Sequence, residues 1–275
     1  MRPPSPPQPT RVALAGLGAI GTAVAARLAR GEVPGVVLAA VAARDPDKAW
    51  RTLDALGSDA LVLPIAALAE AADLVIECAP AALLDQIVRP VLMAGKTVMV
   101  LGVGALLSRP DLIALAAEHG GRIVVPTGAL LGLDAVLAAA EGRIDSVRMV
   151  SRKPPIGLAG APYLVERGIS VEGLTEPLLL FRGSAREAAT GFPANLNVAA
   201  ALSLAGIGPD RTEIEVWADP TVTRNTHRIV VESDSAHLDM TIENVPSENP
   251  RTGRITALSV IAGLRKMHAP LRVGT

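Results

Sequence analysis

The first half of the chain alternates short apolar runs with longer Ala- and Leu-rich stretches. Arg11 to Ala15 (RVALA) runs straight into Gly16, which predicts a buried strand ended by a tight turn. Ala19 to Arg30, rich in Ala with Val24 and Leu28, predicts a helix. Val36 to Ala43 reads as a second buried strand, after a loop that holds Pro34. Asp45-Pro46-Asp47-Lys48 opens another helix, with Asp45 as N-cap and Pro46 at the first helical position. Asp73 to Cys78 and Thr97 to Leu101 are further strands, and between them Ala81 to Met93 is helical, with Pro90 breaking or kinking its end. Asp111 to His119 is a helix ended by Gly120-Gly121, and Arg122 to Val125 returns as a strand. Apolar strands separated by helices predict a parallel sheet covered on both faces.

The pattern changes near residues 126–132. Asp145 to Arg152, Glu213 to Ala218, Thr226 to Glu232 and Leu238 to Val245 mostly alternate polar and apolar residues. That period suits an antiparallel sheet with one solvated or ligand-facing side. Asn195 to Ala205 and Thr256 to Lys266 read as helices, the last of them free to pack back on the first domain.

Composition narrows the class. The chain has 275 residues, half of them hydrophobic and 19% charged, which excludes a disordered chain. A net charge of −1 and a pI near 6.4 argue against a nucleic-acid binder. Five scattered aromatics, Trp50, Tyr163, Phe181, Phe192 and Trp217, make a poor stacking platform for single strands. Cys78 is the only cysteine, so an internal disulfide and a multi-Cys zinc site are excluded, and a reducing, cytoplasmic setting is expected. The start of the chain is Pro-rich, lacks the apolar segment of a signal peptide and reads as a disordered tail over residues 1–10. The longest near-apolar stretch, Ile123 to Ala140, is interrupted by Pro126, Gly128, Gly132 and Asp134, so no membrane span is expected.

Gly16-Leu17-Gly18-Ala19-Ile20-Gly21 fits G-x-G-x-x-G and stands between a strand and a helix. The first glycine permits the tight turn, the second lets a pyrophosphate approach the backbone, and the third lets the helix lie close to the strand. The amides that open the helix then face the anion, which makes Gly16, Gly18, Ala19, Ile20 and Gly21 candidate cofactor contacts. At the end of the second strand Arg44 could accept the 2′-phosphate of NADP, and Asp45 could instead take the 2′-hydroxyl of NAD or merely cap its helix. Cys78 ends a later strand, where ligands of open parallel sheets bind, so it either lines the cofactor crevice or is a small buried residue without a role.

Histidine is the side chain best suited to move protons near neutral pH. His119 and His268 stand at helix ends, and His237 falls in a hairpin turn. His227 differs, because it closes the polar segment Asp219 to His227 (DPTVTRNTH) that feeds a strand. Asn195 and Asn197 precede an Ala/Leu helix, as an N-cap or as an amide that contacts cofactor or substrate. Arg152 and Lys153 lie ahead of Pro154-Pro155, as carboxylate-binding cations or solvated charges. No H-E-x-x-H and no His or Cys cluster argues for a metal.

Taken together, these segments resemble the L-aspartate dehydrogenase family. The resemblance rests on Gly16 to Gly21, Pro126 to Ala135 (PTGALLGLDA), Lys153-Pro154-Pro155 and Phe192 to Leu204. It extends to Ala218-Asp219-Pro220 through His227, Glu243-Asn244-Val245-Pro246-Ser247 and the closing Arg272 to Thr275. It implies an α/β fold with a Rossmann-type parallel-sheet domain over 11–130. A second, mixed α/β (α+β) domain for substrate and dimerisation follows over 131–275. It also implies NAD- or NADP-dependent interconversion of L-aspartate with iminoaspartate or oxaloacetate plus ammonia, by a homodimer. By position, His227 resembles the family's catalytic histidine, and Ala129 and Asn197 its cofactor-contacting positions. The competing readings are a reductase of similar build acting on dihydrodipicolinate or homoserine, and a non-catalytic NAD(P)-sensing protein, which would have no need of His227.

Overall fold

The computed structural model describes residues 8–193, 196–247 and 253–275. Most of the Pro-rich tail and Asn195 lie outside the described residues. The described chain divides into two compact units.

The first unit comprises residues up to Gly102, Arg109–Pro126 and Ala257–Arg272. Its sheet has six strands: β1 (Thr10–Ala15), β2 (Val36–Ala42), β3 (Leu61–Val62), β4 (Leu74–Glu77), β5 (Thr97–Val100) and β6 (Arg122–Val124). Thr10, read as the end of the tail, is the first residue of β1 and donates its N–H to the Gly35 carbonyl. Every pairing in the sheet is parallel, in the order β3-β2-β1-β4-β5-β6. The chain therefore reverses direction of growth between β1 and β4, the switch point where doubly wound sheets bind dinucleotides. The central strands are apolar over their buried lengths, apart from Glu77 at the end of β4, because helices cover both faces. Val12, Leu14, Val41, Ile76 and Met99 share one core with Val24 and Leu28 of the helix Ala19–Ala29 and with Val260, Ile261 and Leu264 of the helix Ile255–His268.

Local signals behaved as the sequence predicts at the helix Pro46–Ala55, where Asp45 accepts the Lys48 N–H at 2.9 Å. Pro90 does not end its helix. The helix Leu84–Met93 runs through it, held by buried Leu84, Ile87, Val88, Val91 and Leu92. Pro90 forfeits one amide, but its own carbonyl still accepts from Ala94 at 3.1 Å.

The second unit comprises Val103–Ser108, Thr127–Thr256 and Val273–Thr275. Its five strands are β7 (Ile144–Lys153), β8 (Leu178–Ser184), β9 (Thr212–Ala218), β10 (Asn225–Ser233) and β11 (His237–Asn244), in the order β11-β10-β7-β9-β8. His237, read as a turn residue, opens β11 and pairs with Glu232 at 2.8 Å. The sheet is mixed rather than antiparallel, because β7 and β9 run parallel. Strand β8, which the alternation did not reveal, is one of the two edges: Leu178 and Leu179 are exposed, whereas Leu180 and Phe181 are buried. One face of the sheet carries Val147, Met149, Ile214, Val216, Ile229 and Val231 into a core with Val136 of the helix Leu133–Ala140 and Val198, Ala199 and Leu202 of the helix Asn197–Ala205. Asn197 is not the cap of that helix. Leu196 holds the N-cap position, and the Asn197 Oδ1 instead accepts the Gly104 N–H at 3.0 Å.

Candidate active site

In the first unit the glycine turn forms an anion cradle. Gly16 has φ +117°, and a Cβ there would lie 2.5 Å from the Cys78 carbonyl oxygen. A Cβ on Gly21 would lie 2.0 Å from the Gly16 carbonyl oxygen, so helix and turn touch backbone to backbone. Gly18 has nothing within 4 Å of its would-be Cβ, and no side chain caps the helix that it opens. Close packing below and open space at the helix N-terminus fit the approach of a pyrophosphate. Ala19 and Ile20 form the first helical turn.

Cys78 lies beneath this turn, its Sγ 3.3 Å from the Gly16 carbonyl oxygen. Burial pushes its thiol far upward, with the neighbouring Glu77 adding to the shift, so it is no thiolate nucleophile. Gly16 is also bonded to the end of β2, through its N–H to the Ala42 carbonyl at 2.8 Å, which brings Arg44 to the same end of the sheet. Arg44 is exposed, whereas Asp45 is engaged as a helix cap. Glu77 was not singled out from the sequence, although an acid following the apolar run Leu74-Val75-Ile76 was the signal. It is fully buried and accepts amides from Ala79 at 3.1 Å, Leu101 at 3.1 Å and Gly102 at 2.7 Å, tying together the ends of β4 and β5.

In the second unit the inner face of the sheet changes character along its length. Going along β10, Val231 faces Val147, Ile229 faces Met149, and His227 faces Ser151. One step further, Lys153 and Asn225 continue the same faces of β7 and β10. Ser151, Lys153, Asn225 and His227 are all buried. The Ser151 Oγ lies 3.0 Å from the His227 Nδ1. Burial, and next the nearby Lys153 charge, push the His227 imidazole down to about 3. Burial likewise pushes the Lys153 amine down to about 8. His227 is thus neutral at physiological pH beside a cation. With Nδ1–H donating to Ser151, the Nε2 lone pair is available as a base.

Arg152 faces the other side of the sheet. It pairs with Asp219 at 2.9 Å and lies 4.7 Å over the Trp217 ring. Burial raises the Asp219 carboxyl, but the Thr221 hydroxyl, Arg152 and the Thr221 amide outweigh it and hold the group below its ordinary value. This carboxylate anchors the loop that leads to Asn225 and His227. Of the two cations ahead of Pro154, Lys153 therefore joins His227 and Arg152 does not.

An aspartate dehydrogenase C-terminal family model matches residues 134–267, and the NAD-binding domain of homoserine dehydrogenase matches residues 16–126. An L-aspartate dehydrogenase of Bordetella bronchiseptica is 66% identical over 264 residues, covering 96% of this chain and 97% of the relative. One from Bradyrhizobium diazoefficiens is 62% identical, covering 96% and 94%.

The chain belongs to the L-aspartate dehydrogenase family.

Its cofactor is NAD or NADP. The fold agrees with the crystal structure of an aspartate dehydrogenase from Thermotoga maritima, with a TM-score of 0.71 at 20% identity over 96% of this chain and 99% of the other. In this member of the L-aspartate dehydrogenase family, Gly16, Gly18, Ala19, Ile20, Gly21, Cys78 and Arg44 belong to the first unit. Ala129, Asn197 and His227 belong to the second. Within the second, the Ala129 carbonyl accepts from the Asn244 side chain at 2.9 Å. Sequence reasoning did not single out Ser151, and it offered Lys153 as a carboxylate-binding cation or a solvated charge without joining it to His227. The two-residue spacing of Ser151 and Lys153 on one strand face was the available signal. Among the described residues there is no group of three or more His, Cys, Asp or Glu placed to hold a metal, and no helix long and apolar enough to cross a membrane.

Proposed function

We propose that the protein interconverts L-aspartate with iminoaspartate, and thence with oxaloacetate and ammonia. The observation that carries the reading is a neutral, buried His227 between Ser151 and the cationic Lys153, in a chain of this family. When bound, the nicotinamide supplies the hydride acceptor for the substrate α-carbon or the donor in reverse. In the direction of oxidation the substrate ammonium first gives up a proton, for which the His227 Nε2 is the base. Loss of the α C–H as hydride leaves the iminium. After His227 has passed that first proton to solvent, water adds to the iminium carbon and His227 takes the proton it loses; His227 then returns this proton to the carbinolamine nitrogen, the C–N bond breaks to release ammonia, and the hydroxyl proton departs to solvent as the ketone of oxaloacetate forms. Lys153 supplies a point charge for one substrate carboxylate. A bound dicarboxylate in turn raises the proton affinity of both Lys153 and His227, so the histidine gains proton-carrying capacity when substrate is present.

The glycine cradle of the first unit holds the pyrophosphate in this reading, and Ala129 and Asn197 contribute further cofactor contacts. Arg44 is exposed where a 2′-phosphate would lie, which supports acceptance of NADP alongside NAD. A homodimer is supported by the outer face of the β7–β11 sheet. There Val150, Trp217 and Val230 are half-buried among the ion pairs of Arg148 and Arg182 with Glu215. The single cysteine supports a cytoplasmic setting. The deciding experiment is an absorbance assay of reduced-cofactor consumption with oxaloacetate and ammonium, with L-aspartate and oxidised cofactor as the reverse test. Turnover in either direction is expected. Intact cofactor binding without turnover points instead to another imine or carbonyl substrate, or to a sensor.

A further inference from the structure

The segment Glu243-Asn244-Val245-Pro246-Ser247 has no part in the mechanism above. Asn244 ends β11, opposite Asn225 on β10, and is 3% exposed. It lies on the inner face, two residues beyond Ile242, which pairs with His227. Its Nδ2 donates to the Ala129 carbonyl at 2.9 Å. A carbonyl only accepts, so this bond fixes which end of the amide is nitrogen and leaves Oδ1 beside Gly253, 3.1 Å from where a Cβ of that residue would lie, so the glycine keeps the space next to the oxygen clear of a side chain. Oδ1 is buried and has no hydrogen-bond partner, the only such side-chain atom among the described residues. A buried amide oxygen without a donor calls for a ligand that brings one.

The polar end of the sheet presents three functions on three neighbouring strands. Lys153 on β7 offers a cation, His227 on β10 a base, and Asn244 on β11 an acceptor. Strands about 4.8 Å apart set the backbones of Lys153 and Asn244 about 10 Å from each other, with β10 between them. An amino acid matches that spread, with a carboxylate toward Lys153 and its nitrogen toward Asn244. Carboxylates and the ketone of oxaloacetate have no N–H or O–H to give, whereas an amine or iminium does.

We propose that the Asn244 Oδ1 accepts an N–H of the substrate's reacting nitrogen and so selects imine reduction over ketone reduction. The inference rests on the aspartate reading. A ketone oxygen against this buried acceptor leaves it unpaired and repels it, which is how a polar site rejects the analogue lacking the donor.

The test compares Asn244→Ala, Asn244→Leu (the same branched heavy-atom shape, somewhat larger) and Asn244→Asp with the unaltered protein. Two rates are measured, reduced-cofactor oxidation by oxaloacetate with varied ammonium and the same without ammonium, with malate assayed as the ketone-reduction product. Cofactor Kd is followed by fluorescence and folding by thermal melting. Loss of a hydrogen bond to a charged group predicts that Ala and Leu raise the ammonium KM about tenfold or more. The ratio of amination to malate formation falls with it, while cofactor Kd stays within about twofold. Asn244→Asp, which keeps an acceptor, restores most of the ammonium KM. An unchanged ammonium KM and ratio in whichever apolar variant folds overturns the proposal. So does a parallel rise of cofactor Kd in all three variants, since the amide then serves only to hold Ala129. No turnover by the unaltered protein overturns the aspartate reading itself and this proposal with it, whereas turnover with unaffected variants overturns this proposal alone.

Discussion

The Ser151 Oγ and the His227 Nδ1 lie 3.0 Å apart, directly across the β7–β10 ladder, although 76 residues separate them in the chain. The serine orients the ring, and where its oxygen accepts the Nδ1–H the Nε2 lone pair is left to carry the proton. His227→Ala is therefore expected to lower turnover about 10²-fold or more with cofactor Kd unchanged. Ser151→Ala is expected to cost less, about tenfold in kcat. Steady-state kinetics beside a fluorescence titration of the cofactor check both. A His227→Ala protein that keeps its activity would remove the histidine from the mechanism.

Lys153 makes substrate binding pH-dependent. Burial holds its amine at about 8, so the cation is present below that pH and lost above it. A dicarboxylate binds the charged form. Succinate, which has no amine of its own to titrate, is expected to bind with full affinity below about pH 8. Its Kd should then rise by up to about tenfold per pH unit above that value, until the lysine in the complex also loses its proton. Lys153→Met should bind weakly at all pH values and show no such limb. Calorimetric titration from pH 6 to 10 is the measurement, and a flat profile in the unaltered protein excludes Lys153 as the carboxylate partner.

Two glycines of the same turn are expected to fail in different ways. Gly21→Ala places a methyl 2.0 Å from the Gly16 carbonyl oxygen, so helix and turn must part. Overpacking of this kind costs about 1–3 kcal/mol, and both the melting temperature and cofactor binding should fall. Gly18→Val meets nothing in the protein within 4 Å of its Cβ. It should melt within a few degrees of the unaltered protein and still lose cofactor affinity, because the methyls occupy the pyrophosphate's approach. Thermal melts paired with cofactor titrations separate the two.

Arg44 is expected to set the cofactor preference. Arg44→Ala should raise the KM for NADP about tenfold or more, through loss of a guanidinium–phosphate contact, and leave the KM for NAD nearly unchanged. Equal effects on both cofactors would place the 2′-phosphate elsewhere.

Much of this architecture is written in short-range patterns. The order of strand and helix through the first unit follows from apolar runs, glycines and caps. Asp45 shows why: its side chain reaches only to the amide of Lys48, so nothing distant is needed to predict it. Gly16 to Gly21 is equally local, because the requirement for no side chain arises within one turn of backbone. His227 stood out as the one histidine that was not at a helix end or in a predicted turn.

The remainder depends on partners far apart in the chain. The parallel pairing of β7 with β9 follows from a crossover of nearly sixty residues, and no strand's own alternation encodes its neighbour's direction. The same alternation divides Ser151 and Lys153 from Arg152, but only packing decides which set is buried with His227. Cys78 matters to the turn because tertiary folding sets it under Gly16, and the unpaired Asn244 oxygen exists because the Ala129 carbonyl claims the other end of the amide. Local propensity and periodicity act over a few residues and so are legible in sequence. Burial, proton affinity and hydrogen-bond satisfaction are set by atoms that only the tertiary fold brings within a few ångströms.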